Sequence, residues 1–341
     1  MILITGGTGY IGPQLVSELQ KDKEFEEHEI VLFDSLRGRF DYFDKPQKGY
    51  QVYEKIEEEF SNLRLVTGDV RYDTHQIEEL VDEADYVFHL AAVTGASYSN
   101  DNRKLYWKTI FDGTMNMFEA AKKTELEAFI NISSCNIYGR SPDGKLTEES
   151  SINPINTYAR AKASAEKIVS KRAKKEKVPA VSLRLATNFG SQEPELGGTR
   201  YNLVINKFVK QALERKPLTP YGNGKNWRPF LHVVDSARII KEIAKSDYES
   251  GAVFNAGFDE MNFRIEEIAD RVKEEVEAEM DREVEIEYKR EKDPGPSYQV
   301  SFAKINNQIS IDKKYNLEKA ISGLIKHYEQ GQEEIREDWN P

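Results

Sequence analysis

The sequence contains a single cysteine, Cys135, among 341 residues, which excludes an intrachain disulfide. It also lacks any apolar run near the ~20 residues that a membrane-spanning helix needs. No basic segment precedes the short apolar run at the amino terminus, which argues against a signal peptide. We therefore expect a cytoplasmic protein that does not contact a membrane.

The sequence also has fewer positively charged than negatively charged residues. There are 48 Lys and Arg residues against 59 Asp and Glu, for a net charge of -11. This excess of acid argues against nucleic acid and anionic membranes as partners. A local pocket on an acidic protein can still bind an anionic ligand. The hydrophobic fraction of 39% is sufficient for a large core, and the length fits one large α/β unit or two fused lobes.

Apolar runs alternate with helical spacing in the first half of the chain. Continuous apolar strands separated by helices are typical of a parallel sheet that is covered on both faces. We therefore predict an α/β fold, a Rossmann-type doubly wound parallel sheet. The predicted strands are residues 1–5, 29–33, 63–69, 86–92 and 129–134, with helices near 74–82 and 104–123.

After about residue 185 this alternation weakens. Helical segments dominate, with short strand candidates such as "VFNAG" and "VEIEY". We predict a Rossmann domain over 1–185 and, over 186–341, mainly a smaller α/β substrate-binding lobe, with the chain crossing between the two.

The stretch "ITGGTGYIG", residues 4–12, carries Gly6, Gly9 and Gly12 between a predicted strand and a helix predicted to begin near Tyr10. Such a turn brings backbone N–H groups and a helix amino terminus against a pyrophosphate. Side chains at the first two glycines would block that approach, and the third lets helix and strand pack closely. The spacing predicts a dinucleotide site.

Asp34 ends the second predicted strand, 22 residues after Gly12. A carboxylate there can accept hydrogen bonds from both ribose hydroxyls and would repel a 2′-phosphate, which favours NAD over NADP. Arg37 and Arg39 lie nearby and act in the opposite sense. The alternative role for Asp34 is that of a turn residue after a strand.

Tyr158 and Lys162 in "YARAK" are spaced i, i+4 on one face of a predicted helix. A phenol is a poor base at neutral pH, and a cationic lysine beside it lowers its pKa. Ser133 and Ser134 end the fifth predicted strand, where doubly wound folds bind ligands. A serine there can bond a substrate oxygen and share a proton with Tyr158. The alternative is an exposed tyrosine on a basic helix.

In combination, these motifs resemble extended short-chain dehydrogenases/reductases, and more narrowly the NAD-dependent nucleotide-sugar epimerase/dehydratase family, which includes UDP-glucose 4-epimerase. The resembling stretches include "TGGTGYIG", "HLAA", "SSCNIYG", "YARAK", "LRLATNFG" and "YGNGKNWRPFLHVVD". The resemblance implies NAD as cofactor, a nucleotide-diphosphate sugar as substrate, no metal, and a homodimer formed through the helices near 104–123 and 157–176.

The resemblance also implies a set of site residues. The catalytic residues would be Ser134, Tyr158 and Lys162. The cofactor-binding residues would be Gly6, Gly9, Tyr10, Ile11, Asp34, Ser35, Asp69, Val70, Leu90, Ala91, Ala92, Thr109, Tyr158 and Lys162, with Asp69 and Val70 at the adenine edge. The substrate-binding residues would be Ser134, Asn188, Asn202 and Arg228, with Arg228 on the diphosphate, where the planar guanidinium binds phosphate oxygens in pairs. The alternative for Arg228 is a surface salt bridge.

The sequence departs from the family at several positions. Cys135 and Asn136 stand where dehydratases carry an Asp-Glu pair, so 4,6-dehydration is not expected. Thr109 replaces an expected asparagine, Pro229 replaces an expected aspartate, and Gly295 lies where an arginine is often found. One phosphate contact is therefore either missing or supplied by Arg290 or Lys292.

Cys135 has two interpretations. It resembles the cysteine that moves a proton in keto-sugar epimerase-reductases, but the sequence shows no clear histidine partner, so we favour a buried apolar filler. For the whole protein we predict an epimerase that oxidises its sugar transiently to a 4-keto intermediate. The alternatives are an NAD(P)H-dependent keto-sugar reductase and a dinucleotide-binding protein without turnover.

Overall fold

In the computed structural model, the described residues are 1–37, 47–193, 196, 198–221, 223–288 and 295–330. Within these ranges the strands are β1 (Ile2–Thr5), β2 (Ile30–Asp34), β3 (Leu63–Thr67), β4 (Tyr86–His89), β5 (Ala128–Ser134), β6 (Arg140–Leu146), β7 (Ala180–Leu185), β8 (Thr187–Phe189), β9 (Trp227–His232), β10 (Ala252–Ala256), β11 (Asn262–Arg264) and β12 (Ser297–Val300).

The helices of the same ranges alternate with these strands through the first half. They are α1 (Gly12–Gln20), α2 (Gln47–Glu59), α3 (Thr74–Asp82), α4 (Arg103–Trp107), α5 (Gly113–Ala121), α6 (Thr157–Glu176), α7 (Val204–Leu213), α8 (Val233–Lys245), α9 (Ile265–Met280), α10 (Ala303–Gln308) and α11 (Leu317–Glu329).

Seven strands form the central sheet in the order β10-β7-β5-β4-β1-β2-β3, and every neighbouring pair is parallel. The strand order reverses between β1 and β4, which is the switch point where doubly wound folds bind ligands. The predicted Rossmann-type fold is confirmed.

Side-chain alternation explains why the strands are apolar throughout. Ile2 and Ile4 of β1 belong to the core on one face of the sheet, whereas Leu3 belongs to the core on the other. Because successive side chains of a strand point to opposite faces, a sheet covered on both sides needs apolar residues at every position.

The helices around the site differ in detail from the prediction. α1 begins at Gly12 rather than near Tyr10, and Pro13 occupies its first turn, where the missing N–H costs nothing. The predicted helix over 104–123 is broken by a π-helical turn at Lys108–Asp112 between α4 and α5. Such turns are frequent at functional sites.

A smaller unit has β11-β9-β8 in one sheet and β12-β6 in another, and its strand β6 comes from the first half of the chain. The "VFNAG" segment does not belong to this unit, since β10 pairs with β7 at the edge of the central sheet. "VEIEY" does not form a regular strand, and Ile286 makes only an isolated bridge to Leu218. The lobe boundary at residue 185 stays a prediction.

Across the part of the chain that the structure describes, no helix combines the length and apolar character required to cross a membrane. The cytoplasmic location stays a prediction.

Candidate functional site

A cavity of about 1320 Å³ opens at the carboxyl ends of the central strands, between the sheet and the smaller unit. It exceeds the roughly 300–1,000 Å³ typical of a site for one small ligand, so a cofactor and a second ligand fit together. Every site residue predicted from the sequence lines this cavity. Their individual roles stay predictions, and Arg39, Arg290 and Lys292 lie outside the described residues.

The glycine turn forms one wall of the cavity. Gly6 has φ +70, and a Cβ there would lie 2.8 Å from the Ala91 backbone. A Cβ on Gly12 would lie 2.1 Å from the carbonyl oxygen of Gly7, whereas one on Gly7 would meet Leu32 of β2 at 2.6 Å. Helix-to-strand packing therefore depends on Gly7 as well as Gly12, which the spacing alone did not indicate.

Asp34 stands at the end of β2 and is tied to the turn. One carboxylate oxygen accepts the Thr8 N–H at 3.0 Å, and the other accepts the Leu36 N–H at 2.9 Å. Burial raises the pKa of Asp34, while these backbone hydrogen bonds act to lower it. The carboxylate is thus held rigidly at the cavity wall.

Asp69 has a partner that sequence reasoning missed. The Arg71 guanidinium donates to both carboxylate oxygens, with Nε to Oδ1 at 2.9 Å and Nη2 to Oδ2 at 2.5 Å. Burial acts to raise the pKa of Asp69, but the Arg71 hydrogen bonds outweigh it and lower the pKa. The adjoining Val70 carbonyl accepts from Asn116 at 2.8 Å, which fixes this loop to α5.

Beneath the cavity, His89 joins two of its walls through hydrogen bonds. Thr114 Oγ1 donates its single proton to the Ile110 carbonyl at 2.5 Å. In its contact with His89 Nε2 at 3.0 Å the hydroxyl must therefore accept, which requires a proton on Nε2. His89 Nδ1 then accepts from Thr5 Oγ1 at 2.7 Å, which in turn accepts the Ala91 N–H at 3.3 Å. Each donor of this series has an acceptor when the imidazole is neutral. Through Thr5 the imidazole fixes Ala91, and through Thr114 it fixes the π turn.

Thr109 lies in that π turn and lines the cavity. Its hydroxyl is buried and has no hydrogen-bond partner among the described residues. A buried hydroxyl without a partner is costly, so this atom suits a polar group of a bound cofactor.

The two serines at the end of β5 have different partners. Ser133 Oγ donates to buried Glu166 at 2.7 Å and faces α6. Ser134 Oγ accepts the Asn136 N–H at 3.2 Å and lines the cavity together with Tyr158. Both serines line the cavity, and the catalytic role of Ser134 stays a prediction.

α6 presents Tyr158 and Lys162 to the cavity from one face. Its amino terminus is capped by Asn156, whose Oδ1 accepts the Ala159 N–H at 2.8 Å. Lys162 Nζ donates to the Ile132 carbonyl at 2.5 Å. Burial lowers the pKa of Lys162 to about 8, and the Glu166 carboxylate acts to raise it.

The electrostatics of Tyr158 differ from the prediction. Burial raises its pKa, while the hydrogen bond from Ser134 and the charge of Arg200 act to lower it. Arg200, which sequence reasoning missed, is the cation among these causes, and the role of Lys162 beside the phenol stays a prediction.

A buried ion pair lies behind the catalytic residues. Arg184 Nη2 and Nε approach the Glu166 carboxylate at 2.7 and 3.0 Å, and both side chains are under 10% exposed, at 7% and 5%. The sequence could have indicated Glu166, because it follows Lys162 by one helical turn.

Cys135 packs beside this pair and donates to the Arg184 carbonyl at 3.1 Å. Burial raises the pKa of the thiol, which supports its role as a filler.

The smaller unit contributes three of the predicted substrate residues. Asn188 accepts from Ser236 at 2.5 Å, and Asn202 lies on the same wall. Arg228 is 6% exposed, and its guanidinium packs against the Tyr298 ring at 5.2 Å. Among the residues that can be described, no carboxylate pairs with Arg228, and its part in binding stays a prediction.

With this geometry in place, comparison with known proteins identifies the family. The sequence profile of the NAD dependent epimerase/dehydratase family matches residues 2–257. The chain belongs to that family. Its predicted cofactor, NAD, is therefore confirmed as the cofactor of the family.

Curated relatives agree. The chain is 29% identical over 263 residues to the low-salt glycan biosynthesis protein Agl12 of Haloferax volcanii, covering 75% of this chain and 76% of that protein. It is 27% identical over 257 residues to YtcB of Bacillus subtilis, described as an uncharacterized UDP-glucose epimerase, with the same coverage of 75% and 76%.

Solved structures establish the fold. UDP-glucuronic acid 4-epimerase from Bacillus cereus, crystallised with UDP-glucuronic acid and NAD, gives a TM-score of 0.82 at 23% identity over 96% of this chain and 99% of that one. DesIV from Streptomyces venezuelae, a dTDP-glucose 4,6-dehydratase, also gives 0.82 at 20% identity, over 99% of each chain.

Proposed function

We propose that the protein is an NAD-dependent nucleotide-sugar epimerase that oxidises a sugar hydroxyl transiently to a 4-keto sugar. The observation that carries this proposal is that Ser134, Tyr158 and Lys162 line one cavity, which is large enough for two ligands. The curated relative described as a UDP-glucose epimerase supports the same reaction class.

The residues around the glycine turn fit the cofactor. Gly6 and Gly9 would let the pyrophosphate approach the backbone, Asp34 would accept the ribose hydroxyls, and Thr109 would meet a polar atom with its unpartnered hydroxyl. Bound NAD supplies a reversible hydride acceptor, which is the chemistry needed to form a ketone and reduce it again.

The remaining chemistry is proton transfer by the protein. Tyr158 would take the proton of the sugar hydroxyl, with Ser134 donating to the phenol oxygen to stabilise its anion. Lys162, buried and held by the Ile132 carbonyl, would add positive charge from the same helix face. Returning the proton after the sugar has turned in the cavity would complete the epimerisation.

The opposite wall would hold the nucleotide diphosphate. Arg228 offers a buried guanidinium without a carboxylate partner among the described residues, and such a group binds phosphate oxygens in pairs. Asn188 and Asn202 would supply amide contacts beside it. The dehydratase relatives do not change the proposal, because the Cys135 thiol donates to the Arg184 carbonyl away from the cavity lining, and Asn136 cannot act as an acid.

The test is turnover of a panel of UDP-, GDP-, CDP- and dTDP-sugars with no cofactor added. Chromatography of the products and absorbance of reduced nicotinamide are read together. Isomerisation without a net absorbance change supports the epimerase. Stoichiometric oxidation of supplied NADH or NADPH by a keto-sugar would identify a reductase instead.

Tyr158→Phe provides the matched variant for this panel. We expect turnover to fall by about 10²–10⁴-fold, the usual worth of a positioned acid/base, while NAD is retained. Near-normal turnover would remove Tyr158 from the mechanism.

We also propose a homodimer formed through α4, α5 and α6. Trp107 of α4 is 39% exposed and stacks on Phe111 at 5.2 Å, which gives this helical face an apolar centre. Analytical ultracentrifugation of the native protein and of Trp107→Glu tests it. A native monomer would contradict the proposal.

A further inference from the structure

Three side chains donate hydrogen bonds to one backbone carbonyl, that of Gly190, which directly follows β8. Tyr10 Oη donates to it at 2.6 Å, Thr199 Oγ1 at 2.8 Å and Asn206 Nδ2 at 2.9 Å. The Gly190 N–H in turn donates to Asn206 Oδ1 at 2.9 Å. Thr199 and Asn206 are both buried, so the Gly190 peptide group is held by protein partners away from solvent.

The same hydrogen bonds join the two ends of a segment of the cavity wall. Residues 200–203 lie between Thr199 and α7, and all four line the cavity. Asn206 stands in the first turn of α7 and donates through Nδ2 to Thr199 Oγ1 at 2.9 Å. Thr199 also forms an antiparallel bridge with Ser191. Because both ends of residues 200–203 are attached to Gly190, its carbonyl sets the position of this part of the wall.

Tyr10 connects this carbonyl to the glycine turn. The residue belongs to that turn and lines the cavity, while its side chain is buried. Its hydroxyl reaches Gly190 although 180 residues separate the two in the chain. The Tyr10 carbonyl accepts from Gln192 Nε2 at 2.7 Å, and Gln14 Oε1 of α1 accepts the Glu193 N–H at 3.0 Å. The chain after Gly190 is therefore bound directly to the turn and to α1.

This arrangement restrains residues 200–203 relative to the glycine turn. A displacement of Gly190 would cost the buried hydroxyl of Tyr10 and the buried amide of Asn206 an acceptor each, and unpaired buried polar groups are costly. Connected hydrogen bonds in buried surroundings also strengthen one another. Thr199 and Asn206 are not among the residues that line the cavity. The place of this part of the wall is thus set partly by side chains that do not face the ligand.

We propose that Tyr10 and Asn206 position the binding site for the nucleotide diphosphate. By holding the Gly190 carbonyl, they keep residues 200–203 at a fixed place relative to the glycine turn. The proposal rests on the function proposed above, in which Asn202 of this segment contacts the substrate. A binding group is effective only when its neighbours hold it close to its productive position. Affinity for the nucleotide therefore depends on hydrogen bonds made within the protein, between the glycine turn and α7.

The test measures the Kd of UDP, GDP, CDP and dTDP by calorimetry on the holoenzyme, with bound NAD measured after denaturation. Tyr10→Phe removes one hydroxyl and keeps the ring. We expect the Kd of the nucleotide that the native protein binds to rise about threefold to tenfold, the usual worth of one hydrogen bond. Tyr248→Phe is the matched control and should keep the native Kd, because the Tyr248 hydroxyl also donates to a backbone carbonyl, that of Pro179 at 3.2 Å, but lies outside the cavity lining.

A second pair of variants acts on the same carbonyl from outside the glycine turn. Thr199→Val removes the hydroxyl that lies between Gly190 and Asn206 and keeps the size of the side chain, whereas Thr199→Ser retains the hydroxyl. Thr199→Val should raise the Kd by a similar factor, and Thr199→Ser should keep the native value. With a sugar that is isomerised, Thr199→Val should raise KM by that factor and lower kcat by less than about twofold, the pattern of lost uniform binding, because the catalytic side chains lie on β5 and α6.

Binding needs no turnover, so a weaker Kd in Thr199→Val beside a native Kd in Thr199→Ser supports the positioning role even if the epimerase function fails. Native affinity in both Tyr10→Phe and Thr199→Val would overturn the proposal whatever their Tm, because the hydrogen bonds would then stabilise the fold alone. A native protein that binds none of the four nucleotides would overturn it as well. Thr199→Val decides if Tyr10→Phe loses NAD, and Tyr10→Phe decides if Thr199→Val does not fold.

Discussion

The buried pair of Glu166 and Arg184 gives the sharpest prediction. In Glu166→Gln, Arg184 keeps its charge in a site where its side chain is 7% exposed and loses the carboxylate at 2.7 Å. Removing one partner of such a pair typically costs about 3–5 kcal/mol. That is a large share of the roughly 5–15 kcal/mol by which proteins are stable.

The same variant should change the pH dependence of activity. The Glu166 carboxylate acts to raise the pKa of Lys162, which burial lowers to about 8. Without that carboxylate, Lys162 loses its proton at a lower pH. If the reaction needs the lysine cation, the alkaline limb of kcat/KM should move to lower pH in Glu166→Gln.

Urea unfolding followed by circular dichroism measures the first effect, and a pH profile of kcat/KM measures the second. Glu249→Gln is the control, because it breaks an ion pair with Lys174 whose side chains are 70% and 72% exposed, and such pairs contribute little. The double variant Glu166→Gln/Arg184→Met should recover part of the lost stability, because no uncompensated charge remains.

A Glu166→Gln variant that unfolds within about 1 kcal/mol of the native protein, well short of the cost of a buried unpaired charge, and keeps the same alkaline limb would refute both effects. A loss of stability with an unchanged limb would retain the ion pair as a structural element and remove its influence on Lys162.

Three further predictions follow from the site. Gly6→Ala should lose bound NAD and at least about 1–2 kcal/mol of stability, because φ is +70 and the new Cβ meets Ala91. The control Gly323→Ala adds its Cβ in open space on α11 and should be neutral or stabilising. Equal Tm values for the two variants would contradict this prediction. Ser134→Ala should lower kcat by about 10²-fold. It should also move the acid limb of the pH profile to higher pH, since the serine acts to lower the pKa of the catalytic phenol. An acid limb that stays at the same pH would argue against proton sharing between Ser134 and Tyr158. Burial lowers the pKa of His89 to about 3, whereas the pKa of histidine in the unfolded chain is about 6.5. The unfolded chain therefore takes up this proton first, and the free energy of unfolding should fall as the pH is lowered from about 6.5 toward 3. Denaturation series at several pH values should show a smaller pH dependence for His89→Gln, and an identical dependence would assign the acid sensitivity to other groups.

Much of the fold could be predicted because it depends on local pattern. Apolar runs such as residues 1–5 mark strands that are buried on both faces, and the glycines at 6, 9 and 12 mark a turn in which a Cβ on Gly6 or Gly12 would collide with backbone atoms. The i, i+4 spacing of Tyr158 and Lys162 needs only a helix to bring both to one face. These signals lie within a few residues of each other, so the sequence displays them directly.

The tertiary structure alone decided which groups meet. Arg200 acts on Tyr158, β10 joins β7 in the central sheet, and His89 fixes both Thr5 and Thr114, although each set is separated by 25 or more residues in the chain. Ser133 and Ser134 are neighbours with opposite partners, because consecutive strand residues point to opposite faces. Partner choice and pKa depend on burial and distance between remote segments, and no local pattern records those quantities.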